Sequence, residues 1–376
     1  MYSSLKSRAV NKPSLTAWLV CRPSSLVSGN KFYTHSKPQY ENVPLSSFIS
    51  ARDTGAKGNG MADDTTALNK LFASAASQNK VVFIDSGIYK VTGTIKIPAG
   101  SRIIGEAAYP VILSSGAYFA DAKKPKPVVQ VGSSSSRGTI EWSNTIVSTQ
   151  GAQAGAILIE FNLEAHGSTP SGLWDIHTRI GGFAGSNLQL PECPKTPETV
   201  ITKANLNKNY IAAFMSIHRA DNNQTTIYAG RGLLIESSKG QTWLYGTSVE
   251  HHQIYKYQLV DTKAIVIGQI QTETAYYQPN PDSQLPFPPV EKYHDPVFRP
   301  GDLYSFFDNY NVTCSQIGEG ARYQRRIFSV EKSTVPVYNL NTVGTTKTIT
   351  LNGMDMADYS GNIDGFIASV ALFRNT

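Results

Sequence analysis

Charge is scarce in this chain: Asp, Glu, Lys and Arg make up 16% of its 376 residues, against about a quarter in ordinary soluble domains. What imbalance exists sits at one end. Residues 1–40 contain Lys6, Arg8, Lys12, Arg22, Lys31 and Lys37 and no Asp or Glu, so they carry the whole formal charge of +6 and leave the body neutral. A neutral body without a basic, aromatic-interleaved stripe excludes the usual nucleic-acid surface. Long apolar runs are missing as well, so no segment spans a bilayer. Residues 15–21 are the one candidate leader core, but they are short, contain Thr16 and run into Arg22 and Pro23, which is not the pattern of a cleavable signal. Cysteine is nearly absent. Cys21, Cys193 and Cys314 make an odd count, and no Cys-x-x-Cys or His cluster has ligand spacing, so neither a metal nor a cofactor is expected.

What is abundant is glycine (30), tyrosine (19) and phenylalanine (15), the composition of a turn-rich β protein with aromatic contact surface. Length allows one large all-β domain or two ordinary ones. Residues 1–38, rich in Ser, Lys and Pro without a period, read as a disordered basic tail or a former interdomain linker, and 39–376 as the folded domain. One helix is expected over 64–77, capped by Asp63 or Asp64, with Leu68, Leu71, Phe72 and Ala75 on one face. Short strands follow at 81–85, 87–91, 94–97, 102–104, 128–131, 140–147, 156–161, 226–228, 233–235, 243–245, 254–259 and 265–270, with more at 347–351 and 367–373. Such a series fits a sandwich, a barrel or a stacked solenoid. Several strands are apolar throughout, which favours parallel coils buried on both faces. In a solenoid the helix would cover the exposed strand edges at one end. The proline-rich stretch 278–300 is expected as a surface loop.

Chemistry is best placed in 230–257. A strand at 243–245 delivers Ser248, Glu250, His251 and His252 within five residues. A carboxyl near an indole and two imidazoles can have its pKa raised by desolvation, as a general acid needs; it can equally be a solvated strand-end carboxylate. Glu273 lies 23 residues from Glu250, close to one coil, so the two could stack, or Glu273 could pair with a neighbouring cation.

These motifs resemble the fungal exo-1,3-β-glucanases of glycoside hydrolase family 55. Gly230-Arg231-Gly232, Ser248-Val249-Glu250-His251-His252, Gln39-Tyr40-Glu41, Asp53-Thr54-Gly55-Ala56-Lys57-Gly58, Gly172-Leu173-Trp174-Asp175-Ile176-His177, Arg179-Ile180-Gly181-Gly182, Gln271-Thr272-Glu273-Thr274 and Asn339-Leu340-Asn341-Thr342 carry the likeness in order, from about Arg22 to the C-terminus. The resemblance implies an all-β, single-stranded right-handed parallel β-helix of the pectate-lyase-like kind, with an N-terminal capping helix. That family has two such helices in tandem, and this chain looks like the second, without the upstream one. It implies an extracellular monomer that hydrolyses 1,3-β-glucan from the non-reducing end with inversion and releases glucose. Glu250 matches the general acid. Glu273 is one candidate base, with Glu236 and Asp221 as others. Trp174, Trp243, Tyr245, Tyr276 and Tyr277 are sugar platforms or core residues, Asp175 and His177 bind hydroxyls or each other, and His251 and Gln271 complete the substrate contacts.

Departures matter equally. Cys193 and Cys314 lack the partners the family implies, with Tyr210 and Tyr323 in those places. Between Met215 and Thr226 a strand carrying an acidic group is missing, and another stretch is missing after Pro296. Losing half of an acid/base pair costs about 10²–10⁴ in rate, and a non-catalytic carbohydrate-binding or structural β-helix is then the alternative. Asn223 and Asn311 begin glycosylation sequons.

Overall fold

The computed structural model describes residues 24–376 except 166–168, 195–199, 216–225, 238–239, 274–279, 282–285, 296–325, 334, 344–346, 359–367 and 375–376. The chain is a β-helix solenoid. Each early coil lays down three short strands: Val81–Ile84, Ile88–Val91 and Ile95–Ile97, then Arg102–Gly105, Val111–Ser114 and Lys126–Val131. Equivalent strands of successive coils pair in parallel, as Val82 with Ile103, Tyr89 with Ile112 and Ile95 with Val129. Val82, Tyr89, Ile95, Ile103, Ile112 and Val129 are all fully buried, because a closed coil turns one face of every strand inward.

One face is a stack of nine strands running from Ile95–Ile97 through Lys126–Val131, Ala156–Phe161, Ile211–Met215, Tyr228–Ile235, Tyr255–Val260 and Arg326–Glu331 to Lys347–Leu351, closed by the antiparallel strand Met354–Asp358. The other two faces merge where Glu141–Thr149 becomes long enough to span both: Glu141 pairs with Arg102 and Ile146 with Val111. The next long strand, Gly172–Ile180, pairs with it along its length. Further on, the long strands Thr242–Ser248, Ile265–Glu273 and Pro336–Val343 form a second parallel stack, ended by the antiparallel Ala368–Arg374.

Four of these long strands bend at a left-handed residue: Asn144 (φ 57), Asp175 (φ 52), Gly246 (φ 64) and Gln269 (φ 55). Asn144 lies opposite Asp175, and Gly246 opposite Gln269. The first three are residue types that enter this region at low cost. The shared corner identifies Gly172–Ile180 and Thr242–Ser248 as equivalent strands. Among the described residues no long strand lies between them. The nine-stranded stack has no such break: Ile211–Met215 pairs directly with Tyr228–Ile235. Residues 216–225, which connect those two strands, lie outside the described residues, as does Asp221. The core divides at the same level. One apolar cluster runs from Ala51 to Ala229, and a second is built from Val249 to Ile349.

The helix is Thr65–Ser77, beginning one residue later than expected, with Leu68, Leu71, Phe72 and Ala75 buried. Its Asn69 side chain donates to the carbonyl of Thr94 at 3.0 Å and accepts from the amide of Lys96 at 2.7 Å. It thereby satisfies the outer edge of Ile95–Ile97, the first strand of the long stack. Asp64 precedes the helix but its carboxylate accepts from the amides of Lys57 and Gly58; Asp63 accepts from Thr65.

Two sequence expectations change. The expected strands at 226–228 and 233–235 are replaced by one, Tyr228–Ile235, which starts at the end of the first and runs through the second, because Gly230 and Gly232 sit inside it rather than in a turn. A Cβ on Gly232 would come within 2.1 Å of the carbonyl oxygen of Lys256, so glycine there serves close coil stacking. And of the segment 1–38, residues 24–38 are laid down on the coils instead of hanging free. Val27–Ser28 and Lys31–Phe32 form a small hairpin, with Leu26 fully buried.

Candidate active site

Glu250 occupies the turn that leaves Thr242–Ser248. Trp243 and Tyr245 point outward on that strand, while Leu244 packs on the core. The bend at Gly246 resets the alternation. Thr247 then meets the hydroxyl of Tyr257 at 3.3 Å, and Val249 is buried in the second core cluster. Ser248 and Glu250, on either side of Val249, face away from that cluster. Glu250 is 5% exposed. Ser248 donates to its Oε1, and His251 Nε2 lies 3.5 Å from its Oε2. It is therefore not a solvated strand-end carboxylate, the simpler of its two sequence readings.

The turn is held from below. Lys256 is fully buried and donates to the carbonyl of His252 at 2.5 Å, and burial pushes its pKa well below the usual lysine range. Burial, with the neighbouring charge of Glu250, raises the Tyr257 phenol above its ordinary value. The amide of Val249 donates to the carbonyl of Gln271 at 3.2 Å.

The spacing between Glu250 and Glu273 has a structural meaning, since Ser248 pairs with Gln271 in the same register. Glu273 ends its strand one coil from the Glu250 turn; its side chain lies outside the described residues, as do Tyr276 and Tyr277. The Gln271 side chain is exposed. Glu236 is committed elsewhere: it meets His294 Nε2 at 2.9 Å.

Trp174, Trp243 and Tyr245 are brought to one surface, but they are not bare. The segment 24–37 crosses them. Trp243 Nε1 donates to the carbonyl of Leu26 at 3.0 Å, and the Tyr33 ring sits 5.2 Å from the Trp243 ring. Tyr245 donates to the carbonyl of Tyr33 at 2.8 Å, and Trp174 Nε1 to that of His35 at 3.1 Å. Lys37 donates to Asn144 at 2.5 Å and to Asp175 at 2.8 Å. His177 is exposed and stands edge-on to Tyr109 at 5.5 Å.

Sequence reasoning missed an anchor inside Gly230-Arg231-Gly232. The side chains of Arg231 and Asp295 are fully buried and form a two-pronged ion pair, Nε to Oδ1 at 2.7 Å and Nη2 to Oδ2. The guanidinium lies over Phe214 at 4.3 Å, and Asp295 also accepts from the amide of Val290 at 2.6 Å. The pair ties the proline-rich stretch to the coils. A buried arginine between two glycines was the available signal, but nothing in sequence named Asp295 as its partner.

Cys193 is buried and unpaired, and burial pushes its thiol up to about 12. Tyr210 packs on the same cluster. Cys21, Cys314, Tyr323 and both sequons lie outside the described residues. Among those described, no group of His, Cys, Asp and Glu could hold a metal, and no helix is long and apolar enough to cross a membrane.

Comparison with known proteins agrees with this architecture. A family model described as rhamnogalacturonase A/epimerase, pectate lyase-like, matches residues 48–167. The chain is 40% identical over 93% of its length to a glucan 1,3-β-glucosidase of Cochliobolus carbonum, covering 49% of that protein. It is 36% identical over 94% of its length to a probable glucan endo-1,3-β-glucosidase of Arthroderma benhamiae, covering 44% of it, and 35% identical over 90% to the non-secreted LysM effector LysM15 of Penicillium expansum, covering 26%. The chain is thus a relative of fungal 1,3-β-glucosidases over nearly all of its own length, with a β-helix whose residues 48–167 match a pectate-lyase-like model, and it spans about half the length of the two glucosidases named here.

Proposed function

We propose that this chain is a glycoside hydrolase acting on 1,3-β-glucan, with Glu250 as the general acid. The observation that carries the reading is Glu250 itself. A nearly buried carboxyl, outside the apolar core and bonded to Ser248, lies in the turn just beyond the strand whose outer face bears Trp243 and Tyr245. A glucosyl unit stacked on those rings would present its glycosidic oxygen towards the strand end, where a protonated Glu250 can donate to it as the bond breaks.

In the resemblance to family 55 the reaction is exo-acting and inverting, carried out outside the cell by a monomer that releases glucose. Inversion calls for a second carboxylate about 6.5–9.5 Å away that activates water. Glu273 is the candidate supported by register. Glu236 is the weaker one, because it is paired with His294. The relatives' names divide between glucosidase and endo-glucosidase, so chain-end release is the finer part of the proposal.

A second reading, a β-helix that binds glucan without cleaving it, is favoured by one observation: among the described residues no long strand lies between Gly172–Ile180 and Thr242–Ser248. Incubating the purified chain with laminarin separates the two. Glucose release that Glu250→Gln abolishes supports the enzyme; retention of the protein on laminarin with no glucose supports the binder; glucose release undiminished by Glu250→Gln removes Glu250 from the mechanism.

A further inference from the structure

We propose that residues 24–37 are a strap that occupies the glucan-facing aromatic surface and competes with sugar for it; this rests on the glucan reading above. The strap reaches from Gly172–Ile180 to Thr242–Ser248, two strands between which no long strand lies among the described residues. Its Tyr33 end lies on Trp243 and Tyr245, while His35 and Lys37 lie on Trp174 and the corner residues Asn144 and Asp175.

The chemistry of its contacts is that of a glucosyl chain. A ring lies against an indole, as the apolar face of a pyranose does. Oxygen acceptors of Leu26, Tyr33 and His35 meet two indole N–H groups and a phenol O–H, where hydroxyl oxygens of a sugar would be received. An ammonium meets the carboxylate and amide of the corner, groups that otherwise accept from sugar hydroxyls. Sugar and strap therefore cannot hold these side chains together.

The strap is also built to come away. Apart from buried Leu26 it offers the coils mostly half-buried and exposed side chains, and its ion pair with Asp175 is solvent-exposed and sensitive to salt. Neither Lys37 nor Tyr33 has a part in the proposed acid catalysis.

The test uses the full chain and its Lys37→Ala and Tyr33→Ala variants. Acrylamide quenching of tryptophan fluorescence without sugar reads the seating of the strap, and affinity electrophoresis in laminarin reads binding. Masking predicts greater quenching in both variants and laminarin binding tightened about 3- to 10-fold, worth about 0.7–1.4 kcal/mol. Greater quenching with unchanged or weaker laminarin binding would overturn the masking while leaving the glucan reading intact. Unchanged quenching would show that these contacts do not hold the strap, and would overturn it too. Greater quenching with no laminarin retention by any form would remove the glucan reading and the masking with it.

Discussion

Arg231 shows most plainly how one side chain sets local structure here. Its charge and that of Asp295 are removed from water together: the two pair with each other, Asp295 also accepts from the Val290 amide, and the guanidinium lies over the ring of Phe214 with its Nη1 buried and without a hydrogen-bond partner. Removing one partner leaves a lone buried charge, so Arg231→Ala should cost about 3–5 kcal/mol. A urea midpoint for the chain unchanged by that substitution would refute the pairing. That Trp243 and Tyr245 share a strand leading into the Glu250 turn was legible in sequence. That Ser248 and Glu250 share a face clear of the core was not, because it depends on the bend at Gly246. Lys37 gave no sign at all: it sits in an aperiodic stretch, and its role comes from Asp175, which lies 138 residues away.

At the scale of elements, the helix Thr65–Ser77 was readable from its period of buried leucines, and so was its duty of covering a strand edge. The means was not. Asn69, on the polar side of that pattern, bonds the Lys96 amide of Ile95–Ile97 and the carbonyl of Thr94 just before it. Asn69→Ala should therefore expose the Lys96 amide, costing about 1–3 kcal/mol, and hydrogen exchange at Lys96 should accelerate; exchange no faster than in the parent chain would mean the edge is protected by other means. Strands that are apolar throughout, such as Val81–Ile84, were easily seen. Asn59–Asp63 was not predicted, since a short strand of mixed pattern becomes a strand only when neighbouring coils supply its partners; Val111–Ser114 and Ile211–Met215, apolar but only four and five residues long, were not predicted either.

For the whole molecule, the solenoid buries many groups that ionise at high pH. Burial raises the phenols of Tyr89, Tyr228, Tyr255 and Tyr257 and the thiol of Cys193 above their unfolded values of 10.0 and 9.0. Such groups release protons more readily when unfolded, so the stability they confer is complete below about pH 9 and is lost as pH rises beyond it. Lys256 acts in the opposite sense, since its depressed pKa makes the unfolded state the better proton binder below 10.5, but it is one group against five. Tm should hold steady to about pH 9 and fall steeply above about pH 10. A Tm flat through about pH 11 would show that these phenols are not held from water.

The glucan reading itself turns on whether the Glu250 carboxyl delivers a proton to the departing oxygen. The most direct measurement compares Glu250→Gln with the parent chain on two substrates, laminarin, whose leaving alcohol needs protonation, and 2,4-dinitrophenyl β-glucoside, whose phenolate leaves without it. General acid catalysis predicts a loss of about 10²–10⁴ in kcat/KM on laminarin and little change on the aryl glucoside; equal losses on both, or no loss on laminarin, would contradict it.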